Sequence, residues 1–278
     1  MSDDRTLDTG TDDLQAEVRS GVGVITLNRP ERRNAMSGPM ITALKAALDD
    51  FEAAPDVGAV VLTGAGGAFC AGGDVKGMAE SSKGEGGGSP LQYDARVHRQ
   101  RLDQRSTAGR LYEMPKPTIA MIPGPAAGAG LSLALACDLR YAVEGAKLTT
   151  AFAKVGFAGD YGGTWFLTRL VGSAKAKELY FLSDVITAED GERIGIVNAV
   201  FPADRLEPEV MAIAERLASG PTVAYRYMKE NLNRAVHGEL GECLDMEAAH
   251  HIHTGQTEDH REAAQAFVEK RQPVFKGR

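Results

Sequence analysis

The stretch "KPTIAMIPGPAAGAGLSLALACDLRYAV", Lys116 to Val143, decides the fold. Its first part, "KPTIAMIPG", is a short apolar run bounded by Pro and Gly, the signature of a buried strand. A glycine-rich turn, Gly124 to Gly130, opens directly into "GAGLSLALACD", a helix so rich in Ala and Gly that it must pack closely on its neighbours. "DLRYAV" then reads as another strand. Strand, tight turn, small-residue helix and strand in immediate succession mark an α/β unit.

The same grammar extends outward. "AEVRSGVGVITLNRP" reads as a hairpin turning at Ser20-Gly21 and stopping before Pro30. In "SGPMITALKAALDDFEAA", Ser37 is placed to cap a helix, Pro39 suits its first turn, and Ile41, Leu44, Leu48 and Phe51 recur at helical spacing. "VGAVVLTG" is a further buried strand ending at the glycines Gly64 to Gly67. "GEGGGSP", Gly84 to Pro90, reads as a flexible surface loop, followed by the polar helical stretch "LQYDARVHRQRLDQRSTAGRLYEM". Beyond about Ala203 strand signals cease and amphipathic helices run to the end. The expected organisation is a tail over 1–14, an α/β core over 15–205 and a helical region over 206–278 for assembly or as a lid.

Composition narrows the function. The chain has 278 residues, 43% of them hydrophobic, and its 31 basic and 38 acidic side chains give a net charge of −7 with no basic cluster. Nucleic acid is therefore not an expected partner. No segment approaches the roughly 18 to 20 apolar residues that span a bilayer, and the acidic start lacks a signal-peptide core. The three widely separated cysteines suit reduced thiols and a cytoplasmic setting.

Two glycine-rich turns follow buried strands: "GAGGAFCAGGD", Gly64 to Asp74, and "GPAAGAG", Gly124 to Gly130. Neither has dinucleotide-binding spacing, since Phe69 stands where the third glycine belongs, and no G-K-[ST] occurs. If the turns face one another, one N–H from each would form a two-donor oxyanion hole suited to a thioester carbonyl becoming an enolate. Spacing alone favours the plainer reading, two tight turns with glycine supplying positive φ.

These residues, with "LNRPERRNAMS", "GAFCAGGDVKGM", "VGFAGDYGGTWFLTRLVG", "ITAEDGERIGIVNAVFP" and "TEDHREAAQAFVEKRQPVF", stand in the order of the crotonase (enoyl-CoA hydratase/isomerase) superfamily, which the chain resembles from about Glu17 to Phe275. The resemblance implies an α/β fold built as a ββα superhelix with a C-terminal helical region, and assembly as a homotrimer or hexamer. It implies an acyl-CoA thioester as substrate, with coenzyme A part of that substrate and no separate cofactor or metal. Carried over by position, the oxyanion amides fall on Ala71 and Ala129. The CoA-contacting segments match Arg33 to Ala35 and Ala71, Gly72, Gly73, Asp74 and Val75. Phe267 and Lys270 match the ring and cation that reach adenine and phosphate, often in a neighbouring subunit; a phosphate partner for Lys270 has a basis in charge-assisted hydrogen bonding.

The sequence departs from the family where hydratases keep two glutamates: those places hold Ser132 and Phe152. A serine hydroxyl can hold a water but not act as a carboxylate, and Phe152 makes an apolar wall. Eight residues beyond Phe152 stands Asp160, which matches the aspartate of dienoyl-CoA isomerases, of ring-opening isomerases and of chlorobenzoyl-CoA dehalogenases. Asp160 is either a helix cap or a base, and with the resemblance the base takes precedence, favouring double-bond isomerisation over hydration by a non-standard acid set or a catalytically silent acyl-CoA-binding protein. Other candidates are weaker. His250 and His253 share a helical face without a third metal ligand. Ser132 lies in G-x-S-x-A inside a helix, not at a nucleophile elbow. His98 and Asp94 share a face that reads as exposed, and Tyr161 and Trp165 fit an aromatic-tolerant pocket or plain core packing.

Overall fold

The computed structural model describes residues 4–74 and 90–278. Its main sheet has the strand order β1-β2-β3-β4-β5-β7-β10, with β1 Arg5–Leu7, β2 Leu14–Arg19, β3 Val22–Leu27, β4 Ala59–Gly64, β5 Thr118–Ile122, β7 Leu139–Val143 and β10 Ala199–Phe201. The first three strands pair antiparallel, and from β3 to β10 every pairing is parallel. The hairpin expected at Ser20-Gly21 is present, both residues turning with positive φ. Residues 5–7, expected in a tail, are instead the edge strand β1, in register with Ala16 to Val18. Gly84 to Ser89 of the expected surface loop lie outside the described residues.

Side chains leave the parallel strands alternately to two faces, and both faces are covered, as a parallel sheet requires. Ile25, Leu27, Val60, Leu62, Ala120 and Ile122 enter the large core beneath helix α1, Gly38–Ala53, which contributes Met40, Leu44, Leu48 and Phe51. Ser37 caps α1 as expected, accepting from the Met40 N–H at 3.1 Å. Val22, Val24, Val61, Ile119 and Met121 enter a second core against Leu206, Val210, Met211 and Ala214. Those four lie on the helix Leu206–Ala218, so the helical region expected to begin at 206 starts with an element that seals the sheet.

A small second sheet, β6 Ala126–Ala127, β8 Lys147–Thr149 and β9 Ile186–Thr187, lies beside helix α4, Ala129–Ala136. Between α1 and α4 in sequence come α2, Pro90–Gln104, and α3, Arg110–Glu113, joined by a π-helical turn at Arg105–Gly109. Helix α5, Gly163–Leu182, packs on α4. The later helices are α6 Ala188–Arg193, α7 Leu206–Ala218, α8 Thr222–Ala235, α9 Leu240–Thr254 and α10 Glu258–Glu269.

Lys229 of α8 is a buried polar tie between the last helices and the body. Its ammonium meets Asp138 at 2.8 Å and donates to the carbonyls of Leu111 (3.0 Å) and Lys116 (3.2 Å). Asp138 also accepts from the Thr118 N–H and hydroxyl. Removing one partner of such a pair strands the other. Lys229→Met is expected to lower the urea midpoint by the equivalent of about 3 kcal/mol; an unchanged midpoint would show the tie to be dispensable.

Candidate active site

The site begins with Asn34, a fully buried residue in the left-handed region (φ 57°). Its side-chain oxygen accepts the Arg29 N–H at 2.8 Å, and its amide donates to the carbonyls of Ala65 and Ala68 at 2.9 Å and of Phe69 at 3.3 Å. One side chain thus satisfies the interior of the first glycine-rich turn, in place of water. Arg29 adds a bond to the Ala35 carbonyl (2.7 Å) and an ion pair with Asp74 (3.4 Å). The Cys70 thiol donates to the Asn34 carbonyl at 3.0 Å, and its proton is held up to about 12 by burial.

The second turn is pressed against the first. The Ala127 N–H donates to the Cys70 carbonyl at 2.9 Å, and a Cβ on Gly130 would overlap that same carbonyl oxygen. A Cβ on Gly72 would stand 2.9 Å from the Ala127 oxygen and 3.3 Å from the Ala129 nitrogen. The two turns therefore face one another across bare glycine, the arrangement an oxyanion hole needs. The assignment of its first donor is corrected: the Ala71 N–H is committed to the Arg33 carbonyl at 2.9 Å, and the Gly72 N–H to the Cys70 sulfur at 3.4 Å. The amides of Gly73 and of Ala129, the first residue of α4, have no acceptor among the described residues.

Two cavities meet at Gly73. One, of about 530 Å³, is lined by Glu31, Arg32, Arg33, Ala35, Ala71, Gly73 and Asp74. The other, of about 720 Å³, has Gly73, Ile41, Lys45, His98, Asp103, Asp160 and Tyr161 in its walls. Arg33, Ala35, Ala71, Gly73 and Asp74 are thus brought together, while Gly72 is buried behind them. Val75 lies outside the described residues. Phe267 and Lys270, exposed at the end of α10, line neither cavity. Of the weaker candidates, His98 reaches the wall of the Asp160 cavity. His250 is occupied by Asn231 at 2.6 Å and by the Tyr227 ring. Trp165 packs edge-on to Tyr112 and Phe166 and lines a separate aromatic cavity of about 450 Å³.

Asp160 is not a helix cap. Helix α5 is capped at Gly162, in the left-handed region, with no side-chain hydrogen bond, and Asp160 contributes only its carbonyl, to the Gly163 N–H at 3.0 Å. Its carboxylate points elsewhere: Oδ1 is buried and has no hydrogen-bond partner. Burial raises this carboxyl to about 6, because the charged form loses water and nothing replaces it. The loop is held by Gln104 at the end of α2, whose side-chain oxygen accepts the Tyr161 N–H at 2.7 Å.

Ser132 and Phe152 are both buried. The Ser132 hydroxyl donates to the Gly128 carbonyl at 3.2 Å, within its own helix, and Phe152 stacks on Tyr180 of α5 with ring centres 5.7 Å apart. The two places where the resemblance led us to look for hydratase acids thus hold a hydroxyl already bonded and an aromatic ring already stacked.

A family model described as enoyl-CoA hydratase/isomerase matches residues 17–278. The chain belongs to the enoyl-CoA hydratase/isomerase family. Among its relatives, 1,2-epoxyphenylacetyl-CoA isomerase of Escherichia coli is 35% identical over 95% of this chain and 98% of its own length. A mitochondrial enoyl-CoA hydratase of Pongo abelii is 37% identical over 92% of this chain and 83% of its own. The crystal structure of an enoyl-CoA hydratase from Bacillus anthracis superposes with a TM-score of 0.86 at 34% identity, covering 96% of this chain and 100% of that one. The fold is the crotonase fold, and as a family member the chain is an acyl-CoA-processing enzyme. Among the described residues no helix is long and apolar enough to cross a membrane.

The Asp160 carboxyl binds its proton more tightly folded than unfolded, so its charge costs stability once pH rises through about 6. Asp160→Asn is therefore expected to raise the thermal midpoint at pH 8 and to lose that advantage below pH 4. A gain that is the same at both values would show that the carboxylate is not strained by burial.

Proposed function

We propose that the protein is an enoyl-CoA isomerase in which Asp160 is the base that moves the proton. The thioester carbonyl accepts from the N–H groups of Gly73 and Ala129, with the coenzyme A arm in the cavity of Arg33 and Ala35 and the acyl chain in the cavity of Asp160. The Asp160 carboxylate removes a proton from an acyl carbon conjugated to the carbonyl, and the electron pair moves onto the carbonyl oxygen as the enolate forms between the two amides. The resulting carboxylic acid returns the proton to another carbon of the conjugated system, and the double bond has moved.

The observation that carries this reading is the buried, unpartnered Oδ1 of Asp160 in a cavity that reaches Gly73. A half-buried carboxylate with one oxygen withdrawn from water and left without a donor, its proton affinity raised toward neutrality, is a better base than an exposed one. Isomerisation needs one such group. Hydration in the family's usual manner needs two acids, and Ser132 and Phe152 supply neither. Exposed apolar side chains on the later helices, among them Leu232, Leu240, Leu244 and Ile252, suit self-association as a homotrimer or hexamer. In such an assembly Phe267 and Lys270 would serve a neighbour's coenzyme A. We assign the enzyme to the cytoplasm on its cysteine usage.

Incubation with 2-enoyl- and 3-enoyl-CoA in heavy water is expected to put deuterium into the acyl chain. The rate should rise with pH to a plateau above about 6, as the carboxylate forms. Asp160→Asn should slow it by roughly 10²- to 10⁴-fold. Binding of acyl-CoA without exchange would identify a silent binding protein. Hydration of crotonyl-CoA that survives the substitution would overturn the isomerase assignment.

A further inference from the structure

Cys70 stands where the two turns meet, yet the proposed reaction gives its side chain no task. The thiol is wholly buried and makes two hydrogen bonds at once: it donates to the Asn34 carbonyl at 3.0 Å, and its sulfur accepts the Gly72 N–H at 3.4 Å. Burial holds its proton up to about 12, so the thiol stays a donor at physiological pH and is no thiolate nucleophile. On its other side the sulfur lies against the start of α4, where a Cβ on Gly130 would stand 2.8 Å from Sγ and 2.6 Å from the Cys70 Cβ. One side chain thus bonds the residue before Gly73 and packs on the residue after Ala129.

Gly72 is the joint that aims the first donor. It sits in the left-handed region (φ +88°), between two peptide planes that are each held by one hydrogen bond. The plane after it is held by Met36, whose N–H donates to the Gly72 carbonyl at 2.8 Å. In a trans peptide the carbonyl and the N–H point in opposite directions, so the Gly73 N–H is turned away from Met36. The plane before it is held by the Gly72 N–H, whose acceptor is the Cys70 sulfur. Glycine is the residue whose backbone turns most freely, so this joint keeps one setting only while both planes are anchored.

We propose that Cys70 is a positioning residue of the oxyanion hole: its thiol bridges the Asn34 carbonyl to the Gly72 N–H and so aims the Gly73 amide at the thioester oxygen. The inference rests on the reading of Gly73 and Ala129 as the two donors, and not on the identity of the base. The bridge has a firm far end, because the Asn34 side chain is itself bonded to the carbonyls of Ala65, Ala68 and Phe69. The thiol therefore links a fixed residue to a freely turning one. Serine at position 70 would keep both a donor and an acceptor, whereas alanine would keep neither.

The test compares Cys70→Ala with Cys70→Ser, first without substrate. In protein labelled with ¹⁵N-glycine, the Gly72 amide should exchange with solvent about tenfold faster in Cys70→Ala than in the wild type, and Cys70→Ser should restore its protection. The hole itself is read from the infrared carbonyl band of butyryl-CoA carrying ¹³C at the thioester carbon, which falls as hydrogen bonds to the oxygen strengthen. Bound to the wild type the band should lie below its position in free butyryl-CoA; Cys70→Ala should lose much of that shift and Cys70→Ser should regain it. In turnover, Cys70→Ala should lower kcat by about 10- to 100-fold with KM held within about twofold, since a misaimed donor is missed chiefly in the transition state. Unchanged exchange of the Gly72 amide in Cys70→Ala, or a carbonyl band that stays at the wild-type position, would overturn the role of Cys70. A carbonyl shift that depends on Cys70 in a protein that moves no acyl proton would refute Asp160 as the base and leave the positioning role standing.

Discussion

The structure depends on one close approach, that of the Cys70 carbonyl to the Cα of Gly130. The parallel strands β4 and β5 deliver two turns to the same edge of the sheet, and the turns can meet only because glycine stands at the contact. The Ala127 N–H then bonds the Cys70 carbonyl and joins the two turns, leaving the amides of Gly73 and of Ala129, at the start of α4, without an acceptor among the described residues. Asn34 fixes the first turn from within through a set of hydrogen bonds that no water is needed to complete. The rigidity matters chemically, because an oxyanion hole lowers a barrier only if its donors are already in place when charge develops.

Asp160 answers a different demand. Burying a carboxylate without a donor costs stability, and proteins tolerate that where the group does chemistry. Here the loop is forced into shape by the left-handed Tyr161 and Gly162, by the Gln104 clamp and by the aromatic pair Phe152 and Tyr180.

Much of this was legible in the residues. Short apolar runs bounded by Pro or Gly marked the core strands, the Ser37 cap and helical spacing marked α1, and the two glycine-rich turns could be paired from the chemistry they suit. What stayed hidden is what depends on hydrogen-bond allocation across distant segments. The resemblance put the first donor on Ala71, and only the bond from its N–H to the Arg33 carbonyl shows that this amide is already engaged. Nothing local marks Asn34 as a buried plug or Gln104 as a clamp, since the carbonyls that the Asn34 amide bonds and the N–H that Gln104 accepts lie more than thirty positions away. The edge strand β1 escaped because its three residues, Arg5, Thr6 and Leu7, are too few to show a period of their own, and the role of α7 because an amphipathic helix does not state which surface it covers.

The most direct measurement is a crystal structure with a non-reactive acyl-CoA thioester bound. The expected result places the thioester oxygen about 2.7 to 3.1 Å from the nitrogens of both Gly73 and Ala129, with the Asp160 carboxylate facing the acyl α- or γ-carbon. A thioester oxygen held elsewhere, or an acyl chain whose exchangeable carbons lie beyond the reach of Asp160, would contradict it.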